Sequence, residues 1–225
     1  MEPIGIVIVA LAVAGLAFGS WWLNQARRRE WHMRAMKLGL TYSRGDPFGL
    51  LGLPFGLFSK GDDRGIDHTA SGRFGDREVK LFDYWYYDES TDSKGNRSRT
   101  YSRFTCAVTE LGAPLPHLSI GREGVLSRLA AAVGFRDIEF ESEEFNRRFK
   151  VKGDDRRFAT YVVDARMMEW LLHADPANTF EIAERWLLVH IHRLRPRELP
   201  LLLLALTGFE GKIPDVVWDV YGKAG

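Results

Sequence analysis

The stretch Arg77–Ser90, REVKLFDYWYYDES, decides the fold. Read with the two-residue period of a strand, it puts Val79, Leu81, Asp83, Trp85 and Tyr87 on one face and Lys80, Phe82, Tyr84 and Tyr86 on the other. Apolar and aromatic residues on both faces predict a central strand covered on each side. Asp92-Ser93-Lys94-Gly95-Asn96 is turn chemistry, so the chain folds back as a hairpin onto TYSRFTCAVTEL, residues 100–111, with Phe104, Cys106 and Val108 on one face. Upstream, a strand at Ile66–Ser71 joins through the turn Gly72–Asp76. An antiparallel sheet built from hairpins follows.

Further along, Leu118–Ile120 reads as a short strand, and Arg122–Val133 carries Leu126, Leu129, Ala130 and Val133 at helical spacing with Gly134 after the last turn. Short strands are expected at Ile138–Phe140 and Arg148–Val151. Asp155 opens a helical patch, RRFATYVV, and Asp164 caps a helix over Ala165–Leu172. Phe180–His192 alternates weakly and reads as a hairpin pair. Glu198–Leu206 is a helix that tolerates Pro200 in its first turn. The apolar run there, Leu199–Phe209, is about half the length of a membrane span, so it belongs to the core. The expected fold class is α+β: an antiparallel hairpin-built sheet with about three packed helices, preceded by one N-terminal transmembrane helix.

That last expectation rests on Ile4–Leu23, IGIVIVALAVAGLAFGSWWL, which has no charge and, at 1.5 Å per residue, is about as long as a bilayer is thick. Trp21 and Trp22 close the run as interfacial rings would, and Arg27, Arg28 and Arg29 follow. A cleaved signal peptide would want a basic start and a shorter apolar core; here Glu2 stands at the start, although Ala17-Phe18-Gly19 is a passable cleavage site. The charge asymmetry predicts a single-pass protein of the cell membrane, with the N-terminus outside and the C-terminal domain cytoplasmic. The expected divisions are an anchor at 1–24, a basic juxtamembrane helix and linker at 25–44, and the α+β domain at 45–225. The lipid bilayer is thus a partner through Ile4–Leu23, and the small-residue pair Gly15 and Gly19 would let a second helix approach, as in a homodimer, or be incidental spacing. Trp31, Ala35 and Leu38 extend the helical pattern, with Gly39 as its stop.

The segment GDPFGLLGLPFGLFSKG, residues 45–61, repeats Pro-Phe-Gly-Leu and is too rich in Pro and Gly for a regular element. Its apolar residues, Phe48 and Phe55 among them, must be covered. Either the segment straps onto the domain, the favoured reading, or it dips into a membrane interface.

The chemistry-bearing motifs are weak. A chain of 225 residues, 45% hydrophobic and 27% charged, has material for a core, and its net charge of +1 argues against nucleic acid as a partner. The single cysteine, Cys106, sits mid-strand and reads as a buried, inert thiol. His190 and His192 share a strand face, but Glu181, Glu184 and His173 stand at no recognisable ligand spacing, so no metal or other cofactor is expected. Lys60–Arg64 and Lys152–Arg156 repeat Lys-Gly-Asp-Asp-Arg and read as charged turns; Gly208–Lys212 lacks the spacing of a phosphate loop. Three readings of function remain: a non-enzymatic binding or scaffold module, an enzyme using carboxylates, or a lipid-contacting domain. Asp83 is the best single acid, since burial inside LFDYWYY would favour its protonated form; the structural alternatives are that it pairs with an arginine or lies at the sheet edge in solvent. The candidate binding surface is drawn from Asp83, Trp85, Tyr87, Phe48, Phe55, His190 and His192.

The N-terminal span with its arginines, FDYWYYDESTDSKGN, FTCAV, DIEFESEEFNRRFKV, DRRFATYVVDARMMEWLL and IPDVVW together resemble a family of uncharacterised actinobacterial-type single-span membrane proteins. The resemblance covers most of the chain after residue 40. It implies a membrane-anchored cytosolic α+β domain and brings no activity or catalytic residue.

Overall fold

Pairing spreads outward from the strand that the sequence marks as central. The computed structural model describes residues 3–122 and 136–222. In chain order it holds α1 (Pro3–Lys37), β1 (Thr41–Arg44), β2 (Asp63–Phe74), β3 (Arg77–Thr91), β4 (Arg97–Gly121), β5 (Arg136–Ile138), α2 (Glu143–Arg148), β6 (Lys150–Gly153), α3 (Arg156–Val162), α4 (Ala165–His173), β7 (Thr179–His192), α5 (Leu199–Glu210) and α6 (Asp215–Tyr221). The strands form one seven-stranded sheet in which β3 lies between β2 and β4, and every pairing is antiparallel.

β4 is the spine of this sheet. One edge carries β3 along Arg97–Thr109 and then β6 along Leu118–Gly121, while β7 runs along the other edge from Phe104 to Ile120. The sequence pattern predicts two strands here, residues 100–111 and Leu118–Ile120, with Gly112, Pro114 and Pro116 between them. The chain instead stays extended and shifts register between Glu110 and Leu118, so that the prolines fall where regular ladder bonds lapse. The same irregularity explains the hairpin expected at Phe180–His192. That segment is the single strand β7, and its local break is a bulge at Glu184, which adopts a left-handed φ of 52° opposite Leu115.

The two faces of β3 meet different partners. Val79 and Leu81 join the larger core, where Trp31 and Ala35 of α1, Phe158 and Val162 of α3, Met167 and Leu171 of α4, and Leu203 and Leu206 of α5 are buried. Phe82, Tyr84 and Tyr86 point the other way, into a second core closed by Leu50, Phe55, Leu57 and Phe58. The Pro-Phe-Gly-Leu segment is therefore a strap over the sheet. Its two short 3-10 turns, Leu50–Gly52 and Gly56–Ser59, are fixed by Asp46, whose carboxylate accepts from the Leu50 and Leu51 amides at 2.8 and 3.0 Å, and by Tyr84, whose hydroxyl donates to the Leu57 carbonyl at 3.0 Å.

The helix caps form as read: Asp155 accepts from the Arg157 and Phe158 amides, and Asp164 from the Met167 amide. Helix α1 ends on Gly39 (φ 71°), where the Leu40 amide reaches back to the Ala35 carbonyl at 2.9 Å. The helix expected at Arg122–Val133 falls almost wholly on 123–135, outside the described residues.

The transmembrane helix of the expected fold is corrected. Among the described residues no helix is long and apolar enough to cross a membrane. The helix does not stop where the apolar run stops. As the spacing of Trp31, Ala35 and Leu38 predicts, it is one element of 35 residues, and its second part bears Arg27, Arg28, Arg29, Glu30, Arg34 and Lys37 and packs into the sheet domain.

Close packing of β2 on β3 leaves one position where only glycine fits. A Cβ on Gly65 would lie 2.7 Å from the Trp85 ring, its direct cross-strand partner. Gly65→Val should lower stability by about 1–3 kcal/mol in urea unfolding, whereas Gly75→Asn, at a turn with nothing within 4 Å, should change it little. Equal midpoints for the two variants would contradict this packing.

Candidate functional site

Asp83 sits on the α1 side of β3 and is nearly inaccessible. Its carboxylate collects four donors. Arg27 Nε donates to Oδ2 at 2.7 Å and Arg27 Nη2 to Oδ1 at 3.0 Å; Trp31 Nε1 donates to Oδ2 at 3.0 Å and Thr105 Oγ1 to Oδ1 at 3.0 Å. Arg193 Nε stands 3.8 Å from Oδ2. The two residues from α1 are one turn apart on the helix, which is why both reach the same acid. The network continues outward: Arg27 also donates to the Leu194 carbonyl at 2.8 Å, and the Leu194 amide donates to Thr105 Oγ1 at 3.0 Å. Burial pulls the Arg193 pKa down, and Arg27 beside it acts the same way. His68 packs against Trp31 and pairs through Nδ1 with the Tyr42 hydroxyl at 2.9 Å; burial lowers its pKa, against the opposing pull of Asp83.

This is a structural junction rather than a reactive one. A carboxylate with both oxygens committed to a bidentate guanidinium, an indole and a hydroxyl presents no free lone pair to a substrate. Of the two structural alternatives for Asp83, the arginine pair is the one observed and the solvent-exposed sheet edge is not; Arg27 reads in the sequence only as a topology signal, and local pattern does not mark Trp31 or Thr105 as donors. The repeat of Arg27, Trp31 and Ala35 at intervals of four was the available clue.

The remaining predicted residues scatter. Trp85 and Tyr87 lie further along the Asp83 face as a half-buried ladder with Tyr101, the ring centroids of Tyr87 and Tyr101 being 5.3 Å apart. Each ring already has a neighbour: Gly65 lies against Trp85, Arg99 sits 4.6 Å over Tyr87, and Arg103 sits 5.4 Å over Tyr101, which stays exposed. Phe55 is buried in the strap, whereas Phe48 is 47% exposed beneath Lys80, whose Nζ is 5.6 Å from its ring. His190 is buried against Phe104 and His192 is exposed beyond it. Among the described residues no group of three His, Cys, Asp or Glu side chains could hold a metal ion. Cys106 is fully buried, and burial pushes its thiol well above the usual range.

A second cluster lies beneath the strap. Glu181 of β7 is almost fully buried, and its Oε1 accepts from the Gly56 amide at 2.6 Å and pairs with His117 Nε2 of β4 at 2.7 Å. Glu181 Oε2 has no hydrogen-bond partner among the described residues. Over this pair opens a groove of about 410 Å³ lined by Leu51, Leu53, Pro54, Phe55 and Phe58, with Ser59, Arg64 and His117 as its polar residues. Arg64 donates to the Phe58 carbonyl, holding the end of the strap. In the sequence Glu181 is a candidate ligand beside His190 and His192 set aside for want of spacing, and nothing there joins it to His117; the strap itself is legible.

The fold is an α+β domain in which helices cover one face of the sheet and the strap part of the other. No family model matches the chain, and no curated protein matches it. A solved structure that it resembles is the mycobacterial trehalose monomycolate transport factor A, TtfA, with a TM-score of 0.59 and 14% identity over 83% of this chain and 93% of that one. At that identity the similarity is one of fold.

Two outcomes test this account of the buried polar groups. Asp83→Ala would strand Arg27 and Trp31 without their acceptor and should cost about 3–5 kcal/mol in chemical denaturation, with Asp83→Asn milder; a loss under about 1 kcal/mol would contradict the junction. His190 is held neutral by burial, its pKa pulled down to about 3. The unfolded chain, with an imidazole near 6.5, binds more protons than the folded one between about pH 6.5 and 3, so stability falls as pH drops through that window, by up to about 1.4 kcal/mol per unit. His190→Gln should flatten that slope in urea midpoints read between about pH 7.5 and 5.5, and an unchanged slope would count against it.

Proposed function

We propose that the domain is a non-enzymatic binding module for a lipid, working at the cell membrane, and that it receives an apolar chain in the groove under the Pro-Phe-Gly-Leu strap. The observation that carries this reading is the strap's division of labour. Phe55, Leu57 and Phe58 seal the core beneath it, while Leu51 and Leu53 stay half-buried and line an open groove. A groove of about 410 Å³ is within the usual range for small-molecule sites, about 300–1,000 Å³. Its apolar walls suit a hydrocarbon chain, and Ser59, Arg64 and His117 suit a polar end group. The fold neighbour's description as a trehalose monomycolate transport factor supports a lipid as the class of ligand. The carboxylate-enzyme reading is disfavoured because its best acid, Asp83, is fully engaged.

Parinaric acid, whose polyene chain fluoresces once desolvated, tests the groove. Titration should saturate with the full-length protein, and Leu53→Glu, which sets a charge among apolar walls, should weaken binding by about tenfold or more. Non-saturable fluorescence, or the same affinity in both proteins, would contradict the proposal.

A further inference from the structure

Helix α1 divides its own circumference. Arg27, Trp31 and Ala35 turn into the sheet, while Glu30, Met33, Arg34 and Lys37, also spaced by three and four residues, line a groove with Arg195, Pro196 and Arg197 from the turn before α5. The groove measures about 420 Å³ and gathers four cations. The carboxylates facing it are Glu30 and Glu198. Glu198 accepts from the Arg195 amide at 3.0 Å and lies 4.0 Å from Arg197 Nε; Arg34, Lys37 and Arg195 form no ion pair among the described residues. With four cations against two carboxylates the groove keeps a positive field that draws an anion to the space between the two elements.

Exposed apolar side chains on α1 and α5 add a second requirement, Met33 being part of the groove lining itself. Met33 and Met36 are 59% and 66% exposed on α1, and Leu201 and Leu204, one turn apart on α5 just beyond the Pro196 turn, are 64% and 57% exposed. Cations whose neighbouring helices also expose long apolar side chains match a layer that offers phosphates with hydrocarbon immediately behind them. A soluble acidic peptide would leave the four apolar side chains in water.

We infer that the Arg34–Lys37–Arg195–Arg197 groove docks onto an anionic lipid surface, with headgroup phosphates seated between α1 and the Pro196 turn. This surface shares no residue with the strap groove, so the two can fail separately. Each cation near an anionic bilayer strengthens attachment by about fivefold, and the attraction is screened by salt.

The test is acetylation footprinting of the full-length protein with phosphatidylcholine vesicles, with and without phosphatidylglycerol. Lys37 should acetylate about fivefold more slowly, relative to the exposed hairpin residue Lys94, when phosphatidylglycerol is present, and added salt should remove the protection. The Arg195→Glu/Arg197→Glu double variant should lose this protection while its parinaric acid titration is unchanged. Equal labelling of Lys37 in both vesicles, protection that survives the double variant, or equal protection by soluble polyglutamate would overturn the inference.

Discussion

One buried carboxylate holds the two halves of this molecule together. Asp83 lies on the central strand, and its donors come from α1, from β4 and, at longer range, from the segment after β7. An acid so placed is costly to desolvate, and the cost is offset only because both oxygens are satisfied at once. The geometry is therefore all-or-nothing. α1 has its orientation because Arg27 and Trp31 must both reach Asp83, and the outer face of α1, with its cationic groove, follows from that orientation.

The same strand sets the other side of the domain. Alternation sends Phe82, Tyr84 and Tyr86 away from Asp83, and a sheet with aromatic residues on both faces needs two covers. Helices supply one. The strap supplies the other, using Pro and Gly to turn sharply while Asp46, Tyr84 and Glu181 satisfy its backbone. Because the strap is irregular it cannot close completely over the sheet, and the groove above Glu181 and His117 is the consequence.

Much of this was legible in the sequence, for identifiable reasons. Strand alternation around Asp83, the turn at Asp92–Asn96 and the caps at Asp155 and Asp164 are local signals, and each gave the observed element. The continuity of β4 through Pro114 and Pro116, and of β7 through Glu184, was not legible, because a bulge is decided by the neighbouring strand rather than by local propensity. The apolar run at Ile4–Leu23 predicted a separate spanning helix. The continuation of the helix to the Gly39 stop was legible from Trp31, Ala35 and Leu38; what local hydropathy could not show is that its charged part is a component of the domain. The site residues missed, Trp31, Thr105, Glu181 and His117, belong to pairs 22 to 64 residues apart in sequence, which no spacing rule joins.

The dependence of α1 on Asp83 is tested most directly by amide hydrogen exchange on Asp83→Asn beside the native protein. The variant should lose more protection across Arg27–Lys37 than across the β3–β4 ladder, whose loss should not exceed the fall in global stability, because the helix loses its attachment and the sheet does not. Unchanged protection of α1, or a uniform loss across helix and sheet alike, would contradict the role assigned to this carboxylate.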